Sequence, residues 1–306
     1  METPATPSTR ERYDARINRA IALIDAEIAR DLPLEALAEA ACLSPHHFHR
    51  IFSSLTGESV HAFTTRLRLE RALRFARLHP AEPWKCIAAR VGYRSLPVFS
   101  RAFKRQYGAS PAAFDLAAHW ATRPDRDAAH AVSAYFLRPA PPAPADFAVT
   151  LVERPAAHLV TSTARGGYID PAAVHTAYER LLAWAEHEGV PTGEGRLSGA
   201  SRDDPEVTPL SRCRYRFALE IEAAVRPPAP LADAVRPAGW WAVRKVAGEM
   251  PEVDRAWNLL WKSWLPASGL SLRDEPVEEV FLRTPAEIGW TRFDLECRVP
   301  VQSPEA

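Results

Sequence analysis

The stretch SPHHFHRIFSSLTGES (residues 44–59) returns as SLPVFSRAFKRQYGAS (residues 95–110), at an offset of 51. Ser44 falls on Ser95, Phe48 on Phe99, Arg50 on Arg101, Phe52 on Phe103, Gly57 on Gly108 and Ser59 on Ser110. Just upstream an offset of 50 sets Leu37 on Ile87, Ala38 on Ala88, Ala41 on Val91 and Leu43 on Tyr93, so Arg94 is an extra turn residue of the second copy. One structural unit is therefore present twice. Each copy reads as helix, short turn, helix. In LPLEALAEAA (residues 32–41) the apolar positions 34, 37, 38 and 41 share one helical face. Ser44 suits an N-cap and Pro45 the first helical position. The helix that follows buries Phe48, Ile51, Phe52 and Leu55 and stops at Gly57. The second copy repeats the scheme with Ser95 as cap, a stripe of Phe99, Ala102, Phe103 and Tyr107, and Gly108 as stop. VHAFTTRLRLERALRFARL, between them, predicts one long amphipathic helix over residues 60–78.

Two small helices at a tight turn form a helix-turn-helix unit, whose second helix enters the major groove and reads bases from its N-terminal half. The buried stripe leaves His46, His49, Arg50 and Ser53 together on the outer face, where they would meet DNA. The matching surface of the second copy carries Leu96, Pro97, Arg101, Lys104 and Arg105, with Arg94 and Ser95 at its mouth. Leu96 and Pro97 make no bidentate hydrogen bonds to base edges but fit a thymine methyl. The first unit is thus expected to discriminate bases and the second to attract phosphate. Residues 41–107 hold 12 basic against 3 acidic residues, an excess suited to a polyanion, although Arg66, Arg68, Arg71, Arg74 and Arg77 also fit a solvated helix face. His46, His47 and His49 lack the i, i+4 spacing of a helical zinc pair, and neither a metal nor a cofactor is expected.

With the cap, stripe and closing Gly108, Ser110, Pro111 and Phe114 in GYRSLPVFSRAFKRQYGASPAAF (residues 92–114), residues 15–114 resemble the DNA-binding domain of the AraC/XylS family of bacterial transcription regulators. The resemblance implies two reading units on a rigid connecting helix, entering successive major grooves of promoter DNA, and RNA polymerase as a further partner. In that family this domain usually comes last; here it comes first, as in the Rob-like branch.

Farther along, residues 118–148 contain Ala- and Pro-rich runs such as RPAPPAPADF and read as a linker between domains at 10–117 and 149–302. The chain then duplicates a second time. Val174, Ala177, Tyr178 and Leu181 match Val253, Ala256, Trp257 and Leu260 at an offset of 79; Arg154, Pro155 and Ala156 match Arg236, Pro237 and Ala238 at 82; Arg214, Tyr215 and Phe217 match Arg292, Phe293 and Leu295 at 78. Each copy reads as strand, helix, strand, strand, with helices over 171–188 and 251–265. The fold class expected is an all-α, homeodomain-like double helix-turn-helix followed by an α+β domain of two such halves in pseudo-twofold relation, with a pocket where they meet.

PVEEVFLRTP (residues 276–285) resembles the penultimate strand of the GyrI-like small-molecule-binding family, with a Glu followed by a hydrophobic and an aromatic residue. The resemblance implies that Glu279 lies at the floor of an aromatic pocket and pairs with cationic or polar drug-like ligands. By alternation alone, Val277, Glu279 and Phe281 share a strand face, which also suits a structural ion pair to an arginine. Trp257, Trp261 and Trp264 follow at i, i+4 and i+7. Trp257 and Trp261 would offer cation–π surface beside Glu279, and Trp264 fits the core. Tyr168, in GGYIDP, would line the entrance, and at most one of Trp240 and Trp241 faces the pocket.

Cys42, Cys86, Cys213 and Cys297 form no C-x-x-C pair and read as separate thiols in a reducing compartment. No run of eighteen apolar residues occurs, so a membrane span is not expected and the reading is cytoplasmic. Two reading units in one chain fit an asymmetric site, hence a monomer or weak dimer. The functional expectation is a non-enzymatic, one-component transcription regulator that answers a small-molecule effector. The alternatives are a C-terminal domain that hydrolyses reactive electrophiles, with Glu279 as base and Tyr168 or Tyr215 assisting, or one that only sequesters toxic ligands.

Overall fold

A computed structural model describes residues 8–122, 147–193, 195–273 and 275–303. Most of the expected linker, 118–148, lies outside the described residues. Two units divide the chain, the first lying mainly within Met1–Arg126. Its helices are α1 (Thr9–Ala26), α2 (Leu34–Ala40), α3 (Pro45–Thr56), α4 (Val60–Leu78), α5 (Trp84–Arg90), α6 (Leu96–Tyr107) and α7 (Leu116–Ala121). The predicted helix-turn-helix pairs are α2–α3 and α5–α6, and α4 spans residues 60–78 as its period demands. Helix α1 precedes the repeat and completes the first core: Ile17, Ala20, Ile21 and Ile24 pack with Leu37, Phe48, Phe52 and Phe63. Helix α7 runs through the expected domain boundary at 117 and buries Trp120.

The two copies keep one turn by different means. Cys42 and Gly92, equivalent at the offset of 50, both take positive φ, 52° and 89°. A Cβ on Gly92 would lie 2.5 Å from the Ala29 carbonyl oxygen, so glycine is required there. Cys42 is exposed and accommodates its side chain. The second core is also more aromatic: Phe99 meets Trp84 (5.8 Å), Tyr93 (5.2 Å) and Phe103 (5.7 Å between centroids).

The second unit is an eight-stranded antiparallel sheet: β1 (Thr150–Arg154), β2 (Ala157–Arg165), β3 (Leu197–Ser201), β4 (Arg214–Ile221), β5 (Ala232–Arg236), β6 (Gly239–Gly248), β7 (Glu278–Arg283) and β8 (Phe293–Val301). Helix α8 (Pro171–Glu188) follows β2, and α9 (Met250–Leu259) follows β6. Beyond α9 come a π turn (Leu260–Trp264), α10 (Leu265–Ser268) and, after β7, α11 (Pro285–Ile288). The opening segment of each half holds two strands where one was expected, because Arg154-Pro155-Ala156 and Arg236-Pro237-Ala238 break it and proline donates no ladder hydrogen bond.

The sheet order is β1-β6-β8-β7-β3-β4-β2-β5. Exchanging each strand for its counterpart in the other half reverses this order, which is the mark of a twofold axis between β3 and β7. Each half lends its first strand to the other: β1 pairs with β6, and β5 neighbours β2. At the axis Gly199 stands opposite Glu279.

Candidate functional site

On α3, His46, His49 and Arg50 are exposed and Ser53 is half-buried, while Phe48 and Phe52 are sealed beneath them. Ser44 caps the helix, accepting from the His47 N–H at 3.4 Å. His47 turns to the flank, its ring edge-on to Tyr13 at 5.6 Å. On α6, Leu96, Pro97, Arg101, Lys104 and Arg105 are exposed, as are Arg94 and Ser95 before it. Arg94 forms a 3.7 Å ion pair with Asp31 between two exposed side chains, a weak tie in water. Ser95 stands at the N-cap but makes no capping hydrogen bond, a departure from the sequence reading. Its φ of −153° differs from the −69° of Ser44, following the extra residue Arg94. Val98, 46% exposed, belongs to this outer surface too and was missed; it is the counterpart of His47.

The arginines of α4 are not the solvated stripe that their spacing suggests. Arg66 is 3% exposed and binds Glu58 and Glu70, each at 3.0 Å. Arg68 donates to the carbonyls of Ile28 (2.8 Å) and Arg30 (2.7 Å), and Arg71 to that of Asp25 (2.8 Å). Asp25 lies in the last turn of α1, where carbonyls lack helical partners, and Ile28 and Arg30 lie just beyond it. The basic excess is thus partly structural. Among the described residues no three His, Cys, Asp or Glu side chains come together to hold a metal.

In the sheet, residues paired across antiparallel strands point to one side. The row Arg244, Cys297, Glu279, Gly199, Phe217, Ser162 crosses six strands on the side that carries α8 and α9. Glu279 therefore lies on the helix-covered side, beside the twofold axis. Its neighbour Glu278 faces the other way, 3.8 Å from Arg236. Tyr215 lies over Gly199, where a Cβ would fall 1.9 Å from the tyrosine oxygen, and donates its hydroxyl to Glu279 Oε2 at 2.7 Å. Trp257 Nε1 donates to Oε1 at 3.0 Å. No ion pair to Glu279 occurs among the described residues, so the structural-arginine alternative falls.

Although solvent still touches part of Glu279, burial of its carboxylate raises the pKa above the ordinary carboxylate range. The two neutral donors oppose the shift, and the charge of Asp254 adds to it. A carboxylate with no counter-ion among the described residues favours an incoming cation. The thiol of Cys297 beside it is pushed well up by burial and by the Glu279 charge, which keeps it protonated.

Trp261 lies near-parallel to Trp257, with centroids 6.3 Å apart and planes at 20°. Phe281 is buried on the same side, 6.4 Å from Phe217. Tyr168 is half-buried and donates to Ser201 Oγ at 2.9 Å; burial chiefly raises its pKa, and Glu279 is near enough to contribute. Trp264 is half-buried rather than core, because the π turn adds a residue and carries the side chains that follow around the axis. Trp241 faces the opposite side under Arg273 (5.5 Å). Tyr178, Phe217 and Trp290 also meet on the helix-covered side, and sequence reasoning passed over them. The signal for Tyr178 was present, since it is the counterpart of Trp257.

Residues 147–302 match the family described as GyrI-like small molecule binding domain, over half of the chain. The chain belongs to this family. Residues 37–116 of this GyrI-like chain match a helix-turn-helix domain, of the AraC/XylS type. Among curated proteins, the regulatory protein PocR of Salmonella typhimurium is 29% identical over 102 residues, 33% of each chain. The transcriptional regulator Rob of the same organism is 30% identical over 97 residues, 32% of this chain and 33% of Rob. The chain thus spans about a third of the length of these relatives. Among solved structures, the C-terminal domain of AraT, a response regulator from Geobacillus stearothermophilus, aligns with 33% identity and a TM-score of 0.31 over 37% of this chain and 88% of that one. No helix among the described residues is long and apolar enough to cross a membrane.

Proposed function

We propose that this GyrI-like chain is a one-component transcription regulator: an aromatic cation enters the pocket at Glu279 and alters how the helix-turn-helix domain engages promoter DNA and RNA polymerase. The observation that carries the ligand half is the Glu279 carboxylate, held by two neutral donors between aromatic residues with no counter-ion among the described residues. Trp257, Trp261, Phe281 and Tyr168 join it as ligand-binding residues. The DNA half rests on the exposed faces of α3 and α6. His46, His49, Arg50 and Ser53 read bases. Arg94, Ser95, Leu96, Pro97, Arg101, Lys104 and Arg105 contact phosphate and thymine methyls. Selection of bound fragments from genomic DNA, with and without a panel of aromatic cations, tests the whole. A fragment set indifferent to every cation, from protein that binds none of them, removes the proposal.

One observation favours a second reading. The Tyr215 hydroxyl, 2.7 Å from Glu279, gives the base-and-hydroxyl pair that hydrolysis of an electrophile needs. Mass spectrometry of an epoxide panel with wild type and Glu279→Gln decides: turnover lost in the variant supports an enzyme, and no turnover by wild type ends that reading.

A further inference from the structure

We infer that the second helix-turn-helix unit reads a methyl group: the start of α6 recognises the C5 methyl of a pyrimidine, on thymine or on 5-methylcytosine, instead of a hydrogen-bonding base edge. This rests on the DNA reading above and narrows what the second unit selects. Leu96, Pro97 and Val98 are the first three residues of α6, and all are exposed. Leu96 is 36% and Val98 46% exposed, and they are the exposed large apolar side chains among the described residues of this unit. The core does not require them, since Phe99, Ala102 and Phe103 fill the buried stripe of the helix. They stand at the N-terminal half of a reading helix, which is the part that meets base edges.

Chemistry restricts what this end of the helix can contact. The side chains of leucine, proline and valine neither donate nor accept hydrogen bonds, and Pro97 also lacks a backbone N–H. Cations bracket them, Arg94 before the helix and Arg101, Lys104 and Arg105 farther along it, all exposed. The complementary surface therefore presents anions around an apolar projection. In the major groove, phosphates flank the base edges and the C5 methyl of thymine is the apolar group on display. 5-Methylcytosine carries the same methyl beside an N4 amine where thymine has O4, and three apolar side chains do not distinguish the two. The first unit is built otherwise. At the positions of Pro97 and Val98 it holds His46 and His47, whose imidazoles donate and accept hydrogen bonds.

Mobility-shift titration of the full chain on a duplex selected from genomic DNA tests this. Each thymine of the protected site is replaced singly by deoxyuridine, which removes the methyl and keeps every hydrogen-bonding group. At one or more thymines wild type should lose about threefold to fivefold in affinity, the share of one buried methyl. With C·G in place of that T·A pair the loss should be at least as large, and 5-methylcytosine·G should bind about threefold better than C·G. The double variant Leu96→Ala, Val98→Ala, which changes exposed positions only, should bind the thymine and deoxyuridine duplexes alike. Indifference of wild type to every deoxyuridine, an undiminished thymine preference in the double variant, or 5-methylcytosine no better than cytosine overturns methyl reading. The DNA reading then stands if Lys104→Ala still weakens binding of the selected duplex. Protein that selects no duplex overturns both.

Discussion

The molecule contains two duplications that keep their copies apart in different ways. The helix-turn-helix copies each assemble around their own buried phenylalanines, Phe48 with Phe52 and Phe99 with Phe103, and diverge on the outward helix face. There His46 has become Pro97 and Ser53 has become Lys104. The sheet copies interlock by lending each other a strand, and they diverge at the seam, where Gly199 faces Glu279. Packing fixes the positions the copies share. Difference accumulates on an outer surface in one domain and beside the twofold axis in the other.

The comparison can be broken or sharpened by experiment. Phe103→Ala empties the second helical core and should cost the first unit about 3–5 kcal/mol. Calorimetry should show the transition of the sheet domain unmoved, and a shared loss would mean that the duplications are not separate folding units. Glu279→Gln should weaken binding of a cationic dye by about 1.5–3 kcal/mol and leave a neutral analogue nearly unaffected. Equal losses would return Glu279 to a structural role.

The raised pKa of Glu279 sets the direction of a pH effect. A cation binds the ionised form, so affinity should fall as pH drops, starting above the ordinary carboxylate range. Because ionising a buried carboxylate costs stability at high pH, Glu279→Gln should not lower the melting temperature near neutrality. On the DNA side, Arg50→Ala should cost about 1–3 kcal/mol with altered sequence preference. Lys104→Ala should weaken all sequences alike and reduce the salt slope by about 1 in mobility-shift titrations. Smallest is the contrast between caps. Ser44→Ala should cost about 1 kcal/mol in thermal unfolding, and Ser95→Ala, which removes no capping bond, only a few tenths.

Periodicity made the helices of the repeat legible, because α2 to α6 bury continuous stripes that a sequence displays directly. Helix α1 falls outside the repeat and escaped it. The roles of Arg66, Arg68 and Arg71 were hidden because their partners on and around α1 are about 40 residues away, except for the nearby Glu58 and Glu70. Glu279 was reached through a motif, and its strand face through alternation. The π turn has no sequence period of its own, so Trp264 was misplaced. Trp290 depends on α11 folding back onto Tyr178, a contact across 108 residues that local spacing does not encode.

The exchange of first strands has a practical consequence. Of the seven neighbouring strand pairs, β1·β6, β3·β7 and β2·β5 join the two halves. Neither β1 nor β5 has a neighbour within its own half. A chain severed between β4 and β5 would give two fragments, each with an orphan strand only the other can accommodate. They should regain structure when mixed and fail alone, and a compound seated on Glu279 would bind at the seam and promote their union. Such a split pair would report its own ligand by reassembly, with no promoter needed.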